Sequence, residues 1–192
     1  VGPSQQDRNF VRQSYPLLWD TNTGTTGAQD GGGIWENARG NWLNTTTGAN
    51  NVTWGNVNLD SATFGAGTDG IYNVTLPGTV QAGGGITFAN SGYTLSGAAL
   101  LLNDGTNNTP VSVAAGKTAT INSAITYLHN KPAAITVNSG AILNLGGGTT
   151  SSLKPQFAFN GAGTANMTAG AYASNVGRVA SATFNPSGRH HD

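Results

Sequence analysis

Three histidines are the groups of this 192-residue chain best suited to acid-base catalysis: His129, His190 and His191. Hydrolysis by a serine nucleophile needs such a base within hydrogen-bond reach, and the sequence contains no Gly-x-Ser-x-Gly motif. His129 stands in a Tyr-Leu-His-Asn-Lys-Pro segment ahead of a strand-like run, so we expect it to be a surface loop residue. We therefore assign no catalytic residue.

Metal binding is considered at three places. The His-His-Asp triplet at 190–192 offers suitable ligand types, but adjacent ligands at a chain end lack the groups that would orient them. The Asp-Gly pair at 69–70 and the segment 103–108 resemble oxygen-rich calcium loops without EF-hand spacing or a nine-residue calcium repeat. We expect tight turns there and assign no metal and no cofactor.

Carbohydrate cleavage would need paired acids. A hydrolase places two carboxylates across its substrate, and of the acids near the strand-rich part only Asp69 and Asp104 are expected to be able to meet. A lyase would need a basic residue beside clustered acids. The chain has three lysines, Lys117, Lys131 and Lys154, and none of them has an acidic neighbour in sequence. We expect the chain not to be an enzyme.

Four tryptophans offer rings that can stack on sugars: Trp19, Trp35, Trp42 and Trp54. All four fall in the first third of the chain, so we expect them to pack in a core or a cap. A carbohydrate-binding or carbohydrate-active module stays open as the alternative function.

Composition excludes several classes of partner. The chain has eight basic and eight acidic residues, a charged fraction of 8% against about 25% in typical soluble domains. Zero net charge removes the electrostatic basis for binding nucleic acid, and the longest apolar run, 98–102, is far shorter than the roughly 18 residues of a membrane-spanning helix. The absence of cysteine excludes disulfides and thiolate metal sites.

Short strand-like runs bounded by Gly, Asn, Asp or Pro dominate the sequence and predict an all-β fold. No window of about eleven residues carries the three-and-four apolar spacing of a helix. The runs are 72–76, 85–88, 93–95, 99–102, 111–114, 119–125, 135–137, 141–145 and 157–159.

An internal repeat decides between the all-β architectures. Gly92, Gly116 and Gly140 are equally spaced along the chain, and the period of about 22 to 24 residues lies in the range of repeat proteins. A coil of that length predicts a right-handed parallel β-helix, a β-solenoid, whose coils stack about 4.8 Å apart. A β-sandwich is the alternative, because the Asp-Gly pairs at 69–70 and 104–105 suit hairpin turns.

The likeness between repeats extends beyond the glycines. Val111-x-Val113 aligns with Ile135-x-Val137, Ile121 aligns with Leu145, and a looser copy with Phe157-x-Phe159 continues the rhythm. Thr118 and Thr120 would suit an ice-binding ladder, but one period later the equivalent residues are Ile142 and Asn144, so no such ladder is expected.

Three segments follow from this pattern. Residues 1–71 are predicted to be a lead and a Trp-rich N-terminal cap, because they lack the period and a solenoid end must be covered. Residues 72–173 are predicted to be the solenoid coils. Residues 174–192 are predicted to be a distorted last coil or a terminal extension.

A set of motifs follows in a fixed order along residues 31 to 148. Trp35, Trp42 and Trp54 are followed by Asp-Ser-Ala-Thr-Phe-Gly at 60–65 and by Gly-Ile-Thr-Phe, Tyr-Thr-Leu-Ser-Gly and Leu-Leu-Leu segments at 85–102. In this order the motifs resemble those of autotransporter-associated β-strand repeat proteins. The resemblance implies a passenger-like β-helix at a bacterial cell surface or outside the cell, with a structural or adhesive role and no catalytic residues. Partners would be copies of the chain joined end to end into filaments, surrounding surface or matrix components, or glycans.

Overall fold

The computed structural model describes residues 14–128, 133–148, 157–168, 172–173, 183–186 and 190–191. Within these residues the regular elements are β-strands, and no helix is present. The strands are β1 (Pro16–Trp19), β2 (Gly33–Ile34), β3 (Trp42–Asn44), β4 (Ser61–Phe64), β5 (Tyr72–Leu76), β6 (Val80–Gln81), β7 (Ile86–Phe88), β8 (Tyr93–Gly97), β9 (Leu100–Leu101), β10 (Val111–Val113), β11 (Thr118–Ile121), β12 (Ile125–Thr126), β13 (Ala133–Val137), β14 (Ile142–Leu145), β15 (Phe157–Asn160), β16 (Thr164–Met167), β17 (Tyr172–Ala173), β18 (Thr183–Pro186) and β19 (His190–His191).

These strands stack into a β-solenoid, as the repeat predicts. The first sheet has the order β15-β13-β10-β7-β4-β1-β3, the second β18-β16-β14-β11-β8-β5-β2, and a third, narrower sheet β12-β9-β6. Neighbouring strands in these sheets are parallel except β1 and β3, which are antiparallel. Stacked parallel strands exclude the alternative β-sandwich of antiparallel hairpins. The right-handed sense of the coil stays a prediction.

Strand register confirms the alignment of the two best-matched repeats. Val111 pairs with Ile135 and Ile121 pairs with Leu145, as predicted from the sequence. The Phe157-x-Phe159 part of the looser copy is displaced by two positions, because Phe159 and not Phe157 lies beside Ile135. Alternation of apolar and polar side chains is unchanged by a shift of two positions, which is why the sequence pattern did not reveal it.

Coil length varies more than the predicted period allows. We measure a coil from a strand residue to the residue paired with it on the next strand of the same sheet. From β4 onward in the two large sheets, the shortest coil runs from Thr164 to Thr183, and the longest runs from Tyr93 to Ala119. The equivalence of Gly92 with Gly116 is therefore wrong by two positions, and the Gly92 amide donates instead to the carbonyl oxygen of Thr118 at 2.9 Å. The longer connection around 103–108 and the longer corner before β11 account for the difference.

Alternating burial shows how the coil forms its core. In β10 the side chains of Val111 and Val113 are buried, while Ser112 between them faces outward. The same alternation occurs in β7, β11 and β13, so inward residues of successive coils form continuous columns. Each fully buried aliphatic side chain contributes about 1.5–3 kcal/mol to folding, and the columns together supply one core.

Residues 14–71 extend the sheets with longer excursions between strands. β1 joins the first sheet beside β4, with Leu17 paired to Ala62, and β2 joins the second sheet beside β5. β3 returns antiparallel to β1 at the end of the first sheet. The predicted segment boundaries at 71 and 173 stay predictions.

Candidate functional site

Several residues weighed for catalysis or metal binding lie outside the described residues: His129, Lys131, Lys154 and Asp192. His190 and His191 form β19, which pairs with β17. The described residues contain no group of three His, Cys, Asp or Glu side chains that could hold a metal ion. They also include no helix long and apolar enough to cross a membrane.

Asp69 and Asp104, the two acids expected to be able to meet, lie in different connections of the coil. Asp69 lies at the corner that leads from the first sheet into β5, and Asp104 lies in the loop between β9 and β10. Asp69 is bonded to Asn90, Ser91 and Lys117, whereas Asp104 is bonded within its own loop. Each carboxylate is thus engaged by a different part of the coil.

Asp69 ties three successive coils together at one corner. Its Oδ1 accepts hydrogen bonds from the Asn90 side-chain amide at 3.0 Å and the Ser91 backbone amide at 2.8 Å, and Lys117 Nζ lies 2.9 Å from Oδ2. The Asn90 and Ser91 hydrogen bonds, with the Lys117 ammonium, lower the pKa of Asp69 to about 2. The ionised carboxylate therefore serves a structural purpose.

The loop at 103–108 is a tight turn, as predicted. Asp104 Oδ1 accepts hydrogen bonds from the backbone amides of Thr106, at 2.7 Å, and Asn107. Partial burial raises the pKa of Asp104, but the hydrogen bonds from Thr106 and Asn107 outweigh it and bring the pKa to about 2. An aspartate that accepts backbone amides two and three positions ahead is the usual basis of such a turn.

Asp30 connects the lead to the coils, a contact that the sequence did not predict. Its carboxylate accepts hydrogen bonds from the amides of Ala66 and Thr68, both at 2.7 Å, and from the hydroxyl of Tyr93 at 2.6 Å. Burial and the Asp30 carboxylate raise the pKa of Tyr93, so this phenol stays protonated and keeps donating. Three segments of the chain meet at one carboxylate.

Two further aspartates of the segment 1–71 also hold backbone amides. Asp60 accepts the amide of Tyr15 at 2.9 Å, and burial raises the pKa of Asp60 despite this bond and one from Asn58. Asp20 is buried, and its Oδ1 accepts the amides of Asn22 and Gln29. These carboxylates hold parts of the lead to one another.

The pKa of Asp69 makes folding stability depend on pH. In the folded chain the pKa of Asp69 is about 2, against an ordinary value of 3.8. The ionised carboxylate therefore contributes its full stabilisation when the pH is above the ordinary pKa, and this contribution is lost as the pH falls through the pKa of the folded chain. We expect Asp69→Asn to flatten the loss of stability between about pH 5 and about pH 2. The urea midpoint, measured in steps over that range, checks this expectation.

Asp60→Asn is the matched control, and it should change the pH dependence of folding stability in the opposite direction. Folding raises the pKa of Asp60, so protonation of this carboxyl stabilises the fold at low pH. That contribution is lost as the pH rises through the pKa of the folded chain. Removing Asp60 should therefore steepen the loss of stability on acidification. Equal slopes in the wild-type and Asp69→Asn chains would contradict the assignment of Asp69.

The tryptophans form a buried cluster, which confirms that they pack in the core. All four are at most 1% exposed, and their ring centroids lie 4.9–5.5 Å from those of neighbouring tryptophans. Phe64 continues the cluster into the coils and stacks on Phe88. In this fold the four indole rings are therefore closed to a sugar ring.

A shallow cleft of about 330 Å³ lies beside the corner between β5 and β6 and is lined by Glu36, Asn37, Pro77, Gly78 and Thr79. Its one carboxylate, Glu36, pairs with Arg39 at 3.0 Å. Hydrolysis of a glycoside needs a second carboxyl group facing the first, and none lines this cleft. The cleft gives no support to a carbohydrate-cleaving site.

The outward side of the second sheet is a regular polar surface. We name it the second-sheet face, and its central column is Asn73, Thr94, Thr120, Asn144 and Asn166. One flanking column contains Thr118, Ile142 and Thr164, and the other contains Thr75 and Ser96. Thr118 and Thr120 lie beside Ile142 and Asn144, which confirms the predicted break in a threonine ladder.

Side-chain hydrogen bonds run along the central column. The Asn166 amide donates to Asn144 Oδ1 at 2.9 Å, and the Asn144 amide donates to Thr120 Oγ1 at 3.4 Å. None of the described strands contains an Asp, Glu, Lys or Arg residue. The charged side chains of the described residues therefore lie at corners and in loops, away from the sheet faces.

The stacked coils, with their buried aromatic cluster and uncharged sheet faces, form a β-solenoid. Over 134 residues, which are 69% of the chain, the sequence is 34% identical to the Adhesin BmaC autotransporter of Brucella suis biovar 1 (strain 1330). The chain spans 4% of the length of that relative. No family model and no solved structure matches the chain.

The similarity confirms the autotransporter-like character that the sequence motifs predict. Membership of the β-strand repeat family itself stays a prediction.

Proposed function

We propose that the chain is a coil segment of a bacterial surface adhesin, a scaffold that presents polar sheet faces outside the cell. The observation that carries this proposal is the similarity of 69% of the chain to an autotransporter adhesin. A solenoid suits the role, because stacked coils make an extended and stiff body with repeated outward surfaces. The β-strand repeat family, the cell-surface location and the adhesive role are all parts of the proposal.

The absence of catalysis is a second part of the proposal. Five carboxylates of the described residues accept hydrogen bonds from backbone amides: Asp20, Asp30, Asp60, Asp69 and Asp104. A carboxylate committed in this way holds loops together and is poorly placed to exchange protons with a substrate. Glu36 is paired with Arg39.

Association of copies end to end is a further prediction. A parallel stack has backbone groups at its terminal strands, and such edges can pair with another chain when they are not covered. Residues of the last predicted segment lie mostly outside the described residues. The prediction therefore rests on the general behaviour of solenoid ends.

Adhesion of coated beads tests the proposed function. Beads carrying the folded 192-residue chain should adhere to cultured epithelial cells or to deposited extracellular matrix severalfold more than beads coated with the same chain unfolded in urea before coupling. An unrelated β-solenoid of similar length controls for shape. Equal adhesion of folded and unfolded chains would overturn the proposal.

A further inference from the structure

Asp20 differs from the other described carboxylates that hold backbone amides. Each of the others has a partner at both of its oxygens: Asp30, Asp60, Asp69 and Asp104. Asp20 is fully buried, and its Oδ1 accepts the amides of Asn22 at 3.0 Å and Gln29 at 3.1 Å. Its Oδ2 is buried and has no donor among the described residues. One oxygen of this carboxylate is therefore committed to the backbone, and the other is available to a ligand.

Asn50 has a second buried oxygen of the same kind. Its Nδ2 donates to the carbonyl oxygen of Thr25 at 3.0 Å, and its Oδ1, at the other end of the amide, has no donor within the described part of the chain. The amide of Thr25 donates to the Asn22 carbonyl oxygen, and the amide of Asn22 donates to Asp20. A continuous chain of hydrogen bonds thus connects Asn50 with Asp20 through residues 20–29, which we name the Asp20 loop.

The backbone fixes the shape of the Asp20 loop. The Thr21 amide donates to the Gln29 carbonyl oxygen at 3.1 Å and joins the two ends of the loop, and the Asp20 amide donates to the Asn41 carbonyl oxygen at 2.9 Å. The Thr21 hydroxyl adds hydrogen bonds to the carbonyl oxygens of Gln29 and Asp30, both at 3.2 Å. A site whose groups are held in place before binding loses little conformational entropy when the ligand arrives.

The charge of the buried carboxylate favours a cation as the ligand. Buried charges in proteins are paired or coordinate metal ions, because desolvating an uncompensated charge is costly. Residues 14–128 contain two basic side chains, and both pair with other carboxylates: Arg39 with Glu36 and Lys117 with Asp69. The two buried oxygens without donors are both acceptors, so a cation can satisfy both and also neutralise the carboxylate.

The types of oxygen present favour calcium among the common cations. Calcium binds oxygens of carboxylates, amides, backbone carbonyl groups and water in flexible geometry, whereas magnesium requires a nearly ideal octahedron. Zinc sites are built mainly from Cys and His, and residues 14–128 contain neither. One carboxylate among neutral oxygens is a low ligand charge, so we expect a dissociation constant of roughly 10⁻⁴ to 10⁻³ M, as in extracellular calcium modules.

We propose that Asp20 Oδ2 and Asn50 Oδ1 bind a calcium ion at the Asp20 loop, with backbone carbonyl oxygens and water as the remaining ligands. The ion neutralises the buried carboxylate and joins the Asp20 loop to the segment around Asn50. The inference goes beyond the proposed function and does not depend on adhesion. The sequence did not predict this site, because no cluster of acidic residues marks it.

Urea unfolding of the 192-residue chain in different salts tests the inference. The chain is treated with EDTA, dialysed, and unfolded in CaCl2, in MgCl2 or in NaCl of equal ionic strength, with tryptophan fluorescence as the signal. With a dissociation constant of about 1 mM, about 10 mM calcium raises the folding equilibrium constant about tenfold. We expect this rise in CaCl2, a smaller one in MgCl2 and none in NaCl. Terbium luminescence excited through the tryptophans measures binding directly.

Asp20→Asn should abolish the calcium response and leave the chain folded. The asparagine oxygen can still accept the Asn22 and Gln29 amides, and its N–H groups replace the unbonded acceptor, so stability in EDTA should not fall below that of the wild-type chain. Asn50→Ala should weaken terbium binding severalfold. Asp60→Asn is the matched control, because Asp60 is also buried but has both oxygens bonded, and it should keep the calcium response.

The absence of a calcium response, or a rise of equal size in NaCl, would overturn the inference, since the two oxygens would then be bound by water only. A rise in MgCl2 as large as in CaCl2 would overturn the assignment of calcium. Equal calcium responses in the wild-type and Asp20→Asn chains would also overturn it, because the ion would then bind elsewhere. If Asp20→Asn does not fold, unchanged terbium binding by Asn50→Ala has the same meaning. Bead adhesion is measured separately, so failure of calcium binding leaves the adhesin proposal intact.

Discussion

Replacing Trp42 by alanine should lower the free energy of unfolding by about 3–5 kcal/mol, the range for truncating a large buried aromatic side chain. Trp42 is fully buried, and its ring contacts four others: Trp19 at 5.1 Å, Trp35 at 5.5 Å, Trp54 at 4.9 Å and Phe64 at 5.7 Å between centroids. No other ring of the cluster can fill the space without leaving its own position.

The loss should be concentrated near the tryptophan cluster, because each coil of a solenoid contacts mainly its neighbours. Amide hydrogen exchange should accelerate in β4 and change little in β14. Val57→Ala, at a side chain that is 76% exposed, is the control and should change stability by no more than about 0.5 kcal/mol. A cost below about 1 kcal/mol for Trp42→Ala, or uniform acceleration of exchange, would contradict the view of Trp42 as the centre of the cluster.

Gly92→Ala should be the most damaging glycine substitution among those that mark the repeat. Gly92 has a φ of 95°, which costs a residue with a Cβ atom about 1–2 kcal/mol. A Cβ atom there would also overlap the carbonyl oxygen of Gly70 in the adjacent coil. Forcing that backbone aside adds about 1–3 kcal/mol, so we expect a total of about 2–5 kcal/mol in urea unfolding followed by circular dichroism.

Gly116→Ala separates the two contributions. Gly116 also has a left-handed backbone, with a φ of 69°, but a Cβ atom there would meet no atom within 4 Å. Its cost should be limited to the conformational part, about 1–2 kcal/mol. If the two substitutions cost the same, close approach of the corners at Gly92 would not be the cause.

Strand positions were predictable where polarity alternates regularly. Val111 and Ile135 occupy equivalent inward positions in successive coils, and the period placed them side by side correctly. The position of Gly92 was not predictable in the same way, because corner length is set by backbone geometry and leaves no periodic trace in side-chain polarity. A glycine at a corner predicts that the chain turns there, but it does not predict the number of residues in the turn.

The structural role of the carboxylates was beyond sequence reasoning for a related reason. Asp30 and Tyr93 are hydrogen-bonded across 63 positions of the chain, and nothing local to either residue indicates the other. Asp104 was predictable as a turn residue, because its bonds reach only two and three positions ahead. The second-sheet face was partly predictable. Alternation of polar and apolar residues identifies the outward residues of each strand, but which of them lie side by side follows only once the strand register is known.

The contrast between constant strands and variable corners also bears on how such a chain diverges during evolution. Coils of unequal length share one core, so insertions and deletions at corners leave the inward columns in place. We expect relatives to differ in length mainly at sites such as 103–108 and to conserve side-chain volume, more than residue identity, at positions such as Phe64 and Val113. Modest sequence identity between two such solenoids is then compatible with closely similar cores.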